Sequence, residues 1–269
     1  MAPIRKGDGT PLDIPGVSEV RSGDGRVFFE ADAIPDSAVF HWPFFEGSGS
    51  TLAEELDNQD GSISGATWVD NNWYEDYGLD FDGTDDYVET TTWGDFGSSV
   101  GGPIWISISF KLESDDHLIG VGSGQEGGGQ TRLELQSGGG YGSDTDTLAF
   151  ILRDDNGDDL SFNTSSTVTS GTRYHAVINK DADDGSDAEI WLTEENEPDV
   201  NQESITVQRD DFDGSEVYDF EENVAFGANN FRGDISGQAD CEIGRILVGR
   251  GDTLSESEIQ QLNDQEPWV

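Results

Sequence analysis

Basic side chains are scarce in this sequence, and their scarcity excludes one class of partner. The chain has 269 residues, of which 13 are Lys or Arg and 57 are Asp or Glu, so its formal net charge is −44. Proteins that bind DNA or RNA neutralise phosphates with a basic patch, and anionic membranes attract basic surfaces for the same reason. We therefore expect no nucleic-acid partner and no binding to anionic membranes.

Cysteine, histidine and long apolar segments are scarce as well. Cys241 is the single cysteine, so no disulfide can form within the chain, and with only three histidines a structural zinc site is not expected. No run of about eighteen apolar residues occurs, which predicts no membrane insertion. Residues 1–16 include two basic residues but no apolar segment, so they lack the pattern of a secretory leader.

The acidic residues are spread along the whole chain. They are interleaved with Trp, Phe, Val and Ile at strand-like spacing, which indicates a folded protein with an acidic surface rather than a disordered acidic tail. Repulsion among these charges would be strong in dilute salt, whereas molar salt shortens the screening length to about 3 Å. We therefore expect a halophilic source; an acidic mesophilic surface protein is the alternative.

Short apolar stretches recur at intervals of about ten residues from residue 37 onward, between turns rich in Gly and Asp. The stretch at 105–112, WISISFKL, alternates, with Ile106 and Ile108 on one face and Trp105 and Ser107 on the other. Regular short strands without a long helical segment predict a β-sandwich or barrel.

One short helix is predicted near the C-terminus, at 255–263. Ser255 and Glu258 have the spacing of a capping box, and Ile259 and Leu262 then fall on one helical face.

Residues 1–36 differ from the rest of the chain and form a predicted N-terminal arm, followed by a folded domain at 37–269. The arm is rich in Gly, Pro and Asp, and it contains four of the basic residues, namely Arg5, Lys6, Arg21 and Arg26. Two interpretations stay open: a loosely ordered terminus, or a segment that docks onto a partner assembly.

Several separated motifs resemble the laminin-G-like domain of the concanavalin A-like lectin and glucanase superfamily. They are HWPFFEGSGST (41–51), DNQDGSISGATWV (57–69), LDFDGTDDYVE (79–89), RYHAVINKD (173–181) and ILVGRGDTLSESEIQQL (246–262). Tyr174 stands where the family usually has Trp. The resemblance implies an all-β, antiparallel jelly-roll β-sandwich with one short C-terminal helix.

No catalytic residues are predicted, and we expect the protein not to be an enzyme. Glycosidases of this superfamily carry Glu-x-Asp-x-x-Glu on one strand, with two carboxylates about 5 Å apart. The nearest stretch, ELDNQD (55–60), ends in Asp and enters a Gly turn. The histidines His41, His117 and His175 accompany no nucleophile-elbow motif, and we expect His175 to be a packed strand residue.

The resemblance also implies one structural Ca²⁺ near the opening strands, since calcium binds carboxylate and carbonyl oxygens. The matching residues are Asp57, Asp60, Asp82 and Asp85, to which Glu46 could add a ligand. The alternative is that Asp82 and Gly83 form only a tight turn and that the acids are solvated.

Aromatic side chains in loop-like segments are the candidate glycan-binding residues, because sugars pack on exposed aromatic faces. They are Trp73, Tyr74, Tyr77, Trp93 and Tyr141. Core packing is the alternative for each of them.

We expect a non-enzymatic structural and adhesion protein on the surface of a halophilic tailed virus, as a capsid spike, turret or tail fibre. Its expected partners are other virion proteins, contacted through the arm, and a host-surface glycan or glycoprotein. Spikes and fibres are usually symmetric, so a homo-oligomer is expected. The alternatives are a cell-surface or secreted carbohydrate-binding protein of a halophilic archaeon and, third, a glycoside hydrolase.

Overall fold

The protein is nearly all β, as the strand spacing predicts. A computed structural model describes residues 19–21, 27–30, 34–56, 59–70, 77–95, 102–114, 117–122, 132–138, 146–154, 157–181, 188–197, 199–211 and 219–265. Within these ranges no helix has the length and apolar character needed to cross a membrane.

The described residues contain twenty strands and one helix. In chain order they are β1 (Glu19–Arg21), β2 (Val27–Glu30), β3 (Ala38–Trp42), β4 (Thr51–Leu52), β5 (Gly61–Ser64), β6 (Thr67–Val69), β7 (Gly78–Asp82), β8 (Tyr87–Asp95), β9 (Ile104–Leu112), β10 (His117–Gly122), β11 (Arg132–Ser137), β12 (Thr147–Arg153), β13 (Asp159–Thr167), β14 (Arg173–Lys180), β15 (Ala188–Glu194), β16 (Ile205–Asp210), β17 (Asp219–Phe226), β18 (Asn229–Phe231), β19 (Asp234–Ser236), β20 (Asp240–Arg250) and α1 (Glu256–Asp264).

Two large sheets contain most of the strands. The eleven-stranded sheet, here the large sheet, has the order β16-β13-β12-β11-β10-β17-β8-β5-β4, with β18 beside β10 and β19 beside β18. The seven-stranded sheet, here the small sheet, has the order β15-β14-β9-β20-β7-β6, with β3 also beside β20. Pairing is antiparallel except between β10 and β18. These sheets form the predicted β-sandwich; its jelly-roll connectivity stays a prediction.

The main core lies between the two sheets. The alternation of apolar side chains along the strands provides its residues. In β9 the residues Ile106, Ile108 and Phe110 face this core, as the sequence predicts. Across it, Leu133 and Phe150 of the large sheet are fully buried. Burial of large apolar side chains is the main favourable term of folding, so this layer determines how the two sheets face each other.

Helix α1 covers the opposite face of the small sheet and begins as predicted. Ser255 is its N-cap, and Ser255 and Glu258 form the capping box. The apolar side of the helix, Ile259 and Leu262, packs in a second, smaller core with Trp105, whose face of β9 is therefore buried as well. Gly249 is required here, because a Cβ at that position would lie 2.0 Å from the Trp105 ring.

Several of the described basic side chains are paired with buried acids. Asp159, 1% exposed, accepts hydrogen bonds from Arg153 Nε at 2.5 Å and from Arg209 at 2.6 Å. Glu134 is equally buried and pairs with Arg132. Burial alone would raise the pKa of Glu134, but hydrogen bonds from His117 and Arg132 outweigh it and lower the pKa to about 2.

Candidate functional site

Two of the four predicted metal ligands, Asp82 and Asp85, lie in the acidic turn, residues 82–86, where β7 leads into β8. Asp82, Asp85 and Asp86 each offer a carboxylate oxygen, and these oxygens lie within 4.8 Å of one another. Asp82 Oδ1 accepts the Thr84 N–H at 2.9 Å, and Asp86 Oδ2 accepts the Asp82 N–H at 2.9 Å. Gly83 has a φ of 72°, a conformation that favours glycine. The turn that the sequence predicts is therefore present, and it gathers three acids.

The other predicted ligands are not part of this cluster. Asp57 lies outside the described residues, and Asp60 Oδ1 accepts the Glu54 N–H at 2.9 Å in the preceding loop. Glu46 lies in the loop between β3 and β4 and accepts the Ala53 N–H at 2.6 Å. The structure instead adds Asp86, which is 7% exposed, to the turn.

The donor chemistry of the acidic turn fits calcium. Burial raises the pKa of Asp86, the Asp82 N–H opposes this, and the charges of Asp82 and Asp85 add to the increase. A cation among the three carboxylates would relieve this repulsion, and oxygen ligands are those that calcium prefers. The calcium site itself stays a prediction.

Calcium is expected to stabilise the protein through this turn. At about 100 times the dissociation constant, binding adds about 2.7 kcal/mol to the unfolding free energy, which corresponds to about 5–10 °C in Tm. Asp85→Asn is expected to abolish that shift, since it removes a ligand charge without removing the two hydrogen bonds of the turn. Calorimetry with and without CaCl₂ at high salt measures the shift in Tm. The Asp234→Asn variant, changed at an exposed position, is the control. Equal Tm values with and without calcium in the unsubstituted protein would show that the turn holds only water.

Two residues of the predicted aromatic patch, Tyr77 and Trp93, lie within the described residues. Trp73, Tyr74 and Tyr141 lie outside the described residues. Tyr77 is half-buried against the opening loop, since a Cβ at Gly47 would lie 2.5 Å from its ring.

The prediction that Trp93 lies in a loop and offers its ring to a sugar is wrong. The Gly and Ser residues that follow it suggested a loop, but β8 continues to Asp95. Trp93 is 5% exposed, with its ring centroid 5.5 Å from Phe40 and 6.1 Å from Trp42. Its apolar ring is therefore part of the core between the sheets.

His175 is a packed strand residue, as predicted, and it lies beneath α1. Its Nε2 is 2.8 Å from Ser107 Oγ, and its Nδ1 is 3.3 Å from Asn263 Oδ1. The three groups have the order of a hydrolytic triad, but each is at most 1% exposed, so a substrate cannot reach them. Burial, and then the charge of Arg245, lower the pKa of His175 to about 3, against the opposing hydrogen bond that His175 donates to Asn263 Oδ1. The imidazole is therefore neutral and structural.

An open pocket of about 730 Å³ lies beside the start of α1, at the edge of the small sheet. Its walls come from the end of β14, from β15 and from the segment that leads into α1. The residues that line it are Asn179, Asp181, Ala188, Glu189, Trp191, Gln202, Thr253, Leu254, Ser255 and Glu256.

Glu189 is the centre of the hydrogen bonds in this pocket. Its Oε2 accepts the Trp191 indole N–H at 3.0 Å and the Asn179 amide at 3.4 Å, and its Oε1 accepts the Gln202 amide at 2.8 Å. Asn179 also donates to the Leu254 carbonyl at 2.8 Å and accepts the Leu254 N–H at 2.9 Å. These bonds join β14, β15 and the approach to α1, so the polar wall is preorganised.

The sequence contained only part of the signal for this pocket. In AEIWLTE the alternation places Ile190 and Leu192 on the face toward the main core, and Glu189 and Trp191 on the other. The pairing of Asn179 with Leu254, 75 positions apart, has no sequence signature.

Comparisons with known proteins support the fold. No protein-family model and no curated protein matches the chain. The binding domain of paraclostridial mosquitocidal protein 1 matches 84% of this chain and 52% of its own, at 12% identity and a TM-score of 0.54. Domain 4 of AbnA, a GH43 extracellular arabinanase from Geobacillus stearothermophilus in complex with arabinotriose, matches 84% of this chain and 98% of its own length. The identity is 13% and the TM-score is 0.55. A Trypanosoma rangeli sialidase matches 85% of this chain and 33% of its own length, at 14% identity and a TM-score of 0.53.

These similarities show a shared architecture. The chain spans about half of the mosquitocidal binding domain and about a third of the sialidase. At such low identities the comparisons support an all-β sandwich fold and carry no residue roles over to this chain. Membership of the laminin-G-like family stays a prediction.

Proposed function

We propose that this chain is a non-enzymatic glycan-binding protein that serves adhesion, and that the pocket beside α1 is its binding site. The observation that carries the proposal is the combination of groups in that pocket. An indole ring, a fixed carboxylate and side-chain amides meet at one concave surface, built from Trp191, Glu189, Asn179 and Gln202.

This combination matches the chemistry of a sugar. Hydroxyl groups donate to carboxylates and amide oxygens, while the C–H faces of a sugar ring pack on apolar aromatic carbon. Trp191 lines the pocket, with most of its ring buried in the smaller core and its N–H bound to Glu189. The volume of about 730 Å³ lies within the range of about 300–1,000 Å³ common for small-ligand sites.

The fold supports the same function class. Domain 4 of AbnA is described in complex with arabinotriose, and the mosquitocidal protein match is a binding domain. Both resemble this chain over 84% of its length. Their folds are compatible with a glycan-binding role for this chain, which its own pocket residues must supply.

The finer part of the proposal places the protein on the surface of a halophilic tailed virus, as a spike, turret or tail fibre. The acidic composition and the expected extracellular role of a laminin-G-like module support it, and residues 1–36 would contact other virion proteins. Mass spectrometry of purified virions tests the location. Detection in cell envelopes and not in virions would instead favour the cell-surface carbohydrate-binding protein.

Filling the pocket is expected to abolish glycan binding. Thr253→Trp places a large ring at a half-buried lining position outside any strand or helix. We expect at least a tenfold loss of affinity, which is about 1.4 kcal/mol, in a glycan screen followed by titration calorimetry at high salt. Thr169→Trp, at an exposed position that does not line the pocket, is the matched control. Unchanged affinity in Thr253→Trp, with the fold intact, would place binding elsewhere.

A further inference from the structure

We infer that the pocket beside α1 binds hydroxyl-rich sugars without anionic groups and rejects sugars that carry a carboxylate or sulfate group. The inference rests on the proposed glycan-binding function and names the class of glycan. It follows from the charges of the pocket walls, from the state of its hydrogen-bond donors and from the start of α1.

All charged side chains that line the pocket are acids. They are Asp181, Glu189 and Glu256, and no Lys, Arg or His is among the described residues that line it. The chain as a whole has a formal net charge of −44, so no long-range positive field offsets them. An anionic sugar would be repelled on approach and would lose its hydration in the pocket without a cationic partner.

The strongest donors of the pocket are already used within the protein. The Trp191 N–H and the Asn179 amide both point to Glu189, and the same Asn179 amide donates to the Leu254 carbonyl. An anion needs donors, whereas the carboxylates of this wall offer acceptors. Sugar hydroxyl groups supply the donors that such acceptors need.

The start of α1 is not available to an anion either. Helix N-termini commonly bind anions through their free N–H groups. Here Glu258 Oε2 accepts the Ser255 N–H at 2.8 Å, and Ser255 Oγ accepts the Glu258 N–H at 3.4 Å. Glu256 adds a further negative charge in the first turn. The capping box therefore already uses the Ser255 and Glu258 N–H groups, and the nearby charge of Glu256 opposes an external anion.

The acids of the pocket are too dispersed to form a metal site. In the part of the chain that the structure describes, three acids converge within 4.8 Å at the acidic turn, and the set Asp181, Glu189 and Glu256 does not meet that distance. Separate carboxylates suit separate hydroxyl groups of one sugar ring.

The test compares sugars that differ at one substituent, which sets their charge. Glucose with glucuronic acid and glucosamine, and galactose with galacturonic acid and galactosamine, are titrated at the lowest salt concentration that keeps the chain folded. We expect a neutral sugar to bind at least about tenfold more tightly than its acid, and the amine, whose positive charge the acidic wall attracts, to bind at least as tightly as the neutral sugar. Equal or tighter binding of the acid would overturn the inference while leaving glycan binding intact. No binding of any sugar, in this panel or in a wider glycan screen, would overturn both proposals.

A charge reversal in the wall gives the second arm. Glu256→Lys changes an exposed pocket residue, and Asp234→Lys makes the same change in net charge at an exposed position in β19 of the large sheet. Glu256→Lys is expected to reduce the preference for the neutral sugar over its acid by about threefold or more. Asp234→Lys is expected to leave this preference unchanged. An equal response of the two variants would show that the net charge, and not the pocket wall, determines the preference.

Discussion

Transfer from molar salt to dilute buffer without divalent ions is expected to unfold this protein. Its 57 acidic residues face only 13 basic ones, and repulsion among them acts over a screening length of about 30 Å at 0.01 M salt but only about 3 Å at 1 M. Typical domains are stable by about 5–15 kcal/mol. A loss of about 5 kcal/mol alone would lower Tm by about 10–20 °C.

The structure explains why the basic residues cannot offset this repulsion at the surface. Arg153 and Arg209 both pair with the buried Asp159, and Arg132 pairs with the buried Glu134. Lys111 pairs with Glu242 at 2.7 Å. These cations compensate acids that the fold itself buries, so they stabilise the interior while the exposed acids keep few counter-charges.

Thermal unfolding followed by circular dichroism over a series of NaCl concentrations measures this effect. KCl is expected to act like NaCl, because screening depends on ionic strength, and sucrose, which is uncharged, separates screening from solute exclusion. A Tm that stays the same after dialysis to low salt without divalent ions would contradict the prediction and favour the mesophilic alternative.

Acidification from pH 7 to pH 4 is expected to weaken the protein specifically through His175. Its pKa is lowered to about 3 in the folded protein, by burial first and then by Arg245, against about 6.5 in an unfolded chain. Below pH 6.5 the unfolded chain therefore takes up a proton that the folded protein refuses. The contribution of His175 to the free energy of unfolding is complete above about pH 6.5 and is lost as the pH falls toward 3. The total loss is on the order of several kcal/mol.

The comparison of His175→Gln with the unsubstituted protein isolates this contribution. Glutamine can still bond Ser107 and Asn263 but does not titrate, so the stability advantage of histidine should be largest at pH 7.5 and should shrink toward pH 4. Ser107→Ala is the control, because it removes the 2.8 Å contact with His175 without removing the titrating group. Parallel pH profiles for the His175→Gln variant and the unsubstituted protein would contradict the prediction.

Local patterns in the sequence were sufficient for several elements. The alternation of Ile106 and Ile108 identified β9, and the spacing of Ser255 and Glu258 identified the start of α1. The Asp82–Gly83 turn followed from the demand of a left-handed backbone for glycine. These features depend on neighbours within a few residues of one another, which the sequence shows directly.

The candidate site depended on contacts that no local pattern contains. Trp93 lies in a segment with the composition of a loop, yet packing against Phe40 and Trp42 places it in the core. The pocket requires Glu189 and Trp191 on the outer face of β15 to meet the approach to α1, which their alternation alone does not predict.

The sequence by itself determined the acidic composition and the two-faced strands, because charge and periodicity are properties of the residues in order. The tertiary structure alone decided what covers the second face of the small sheet. Packing of α1 there buries His175 and closes one wall of the pocket through Asn179 and Leu254, which are 75 positions apart. Contacts over such separations form only when the sheets assemble, so only the folded chain reveals the pocket.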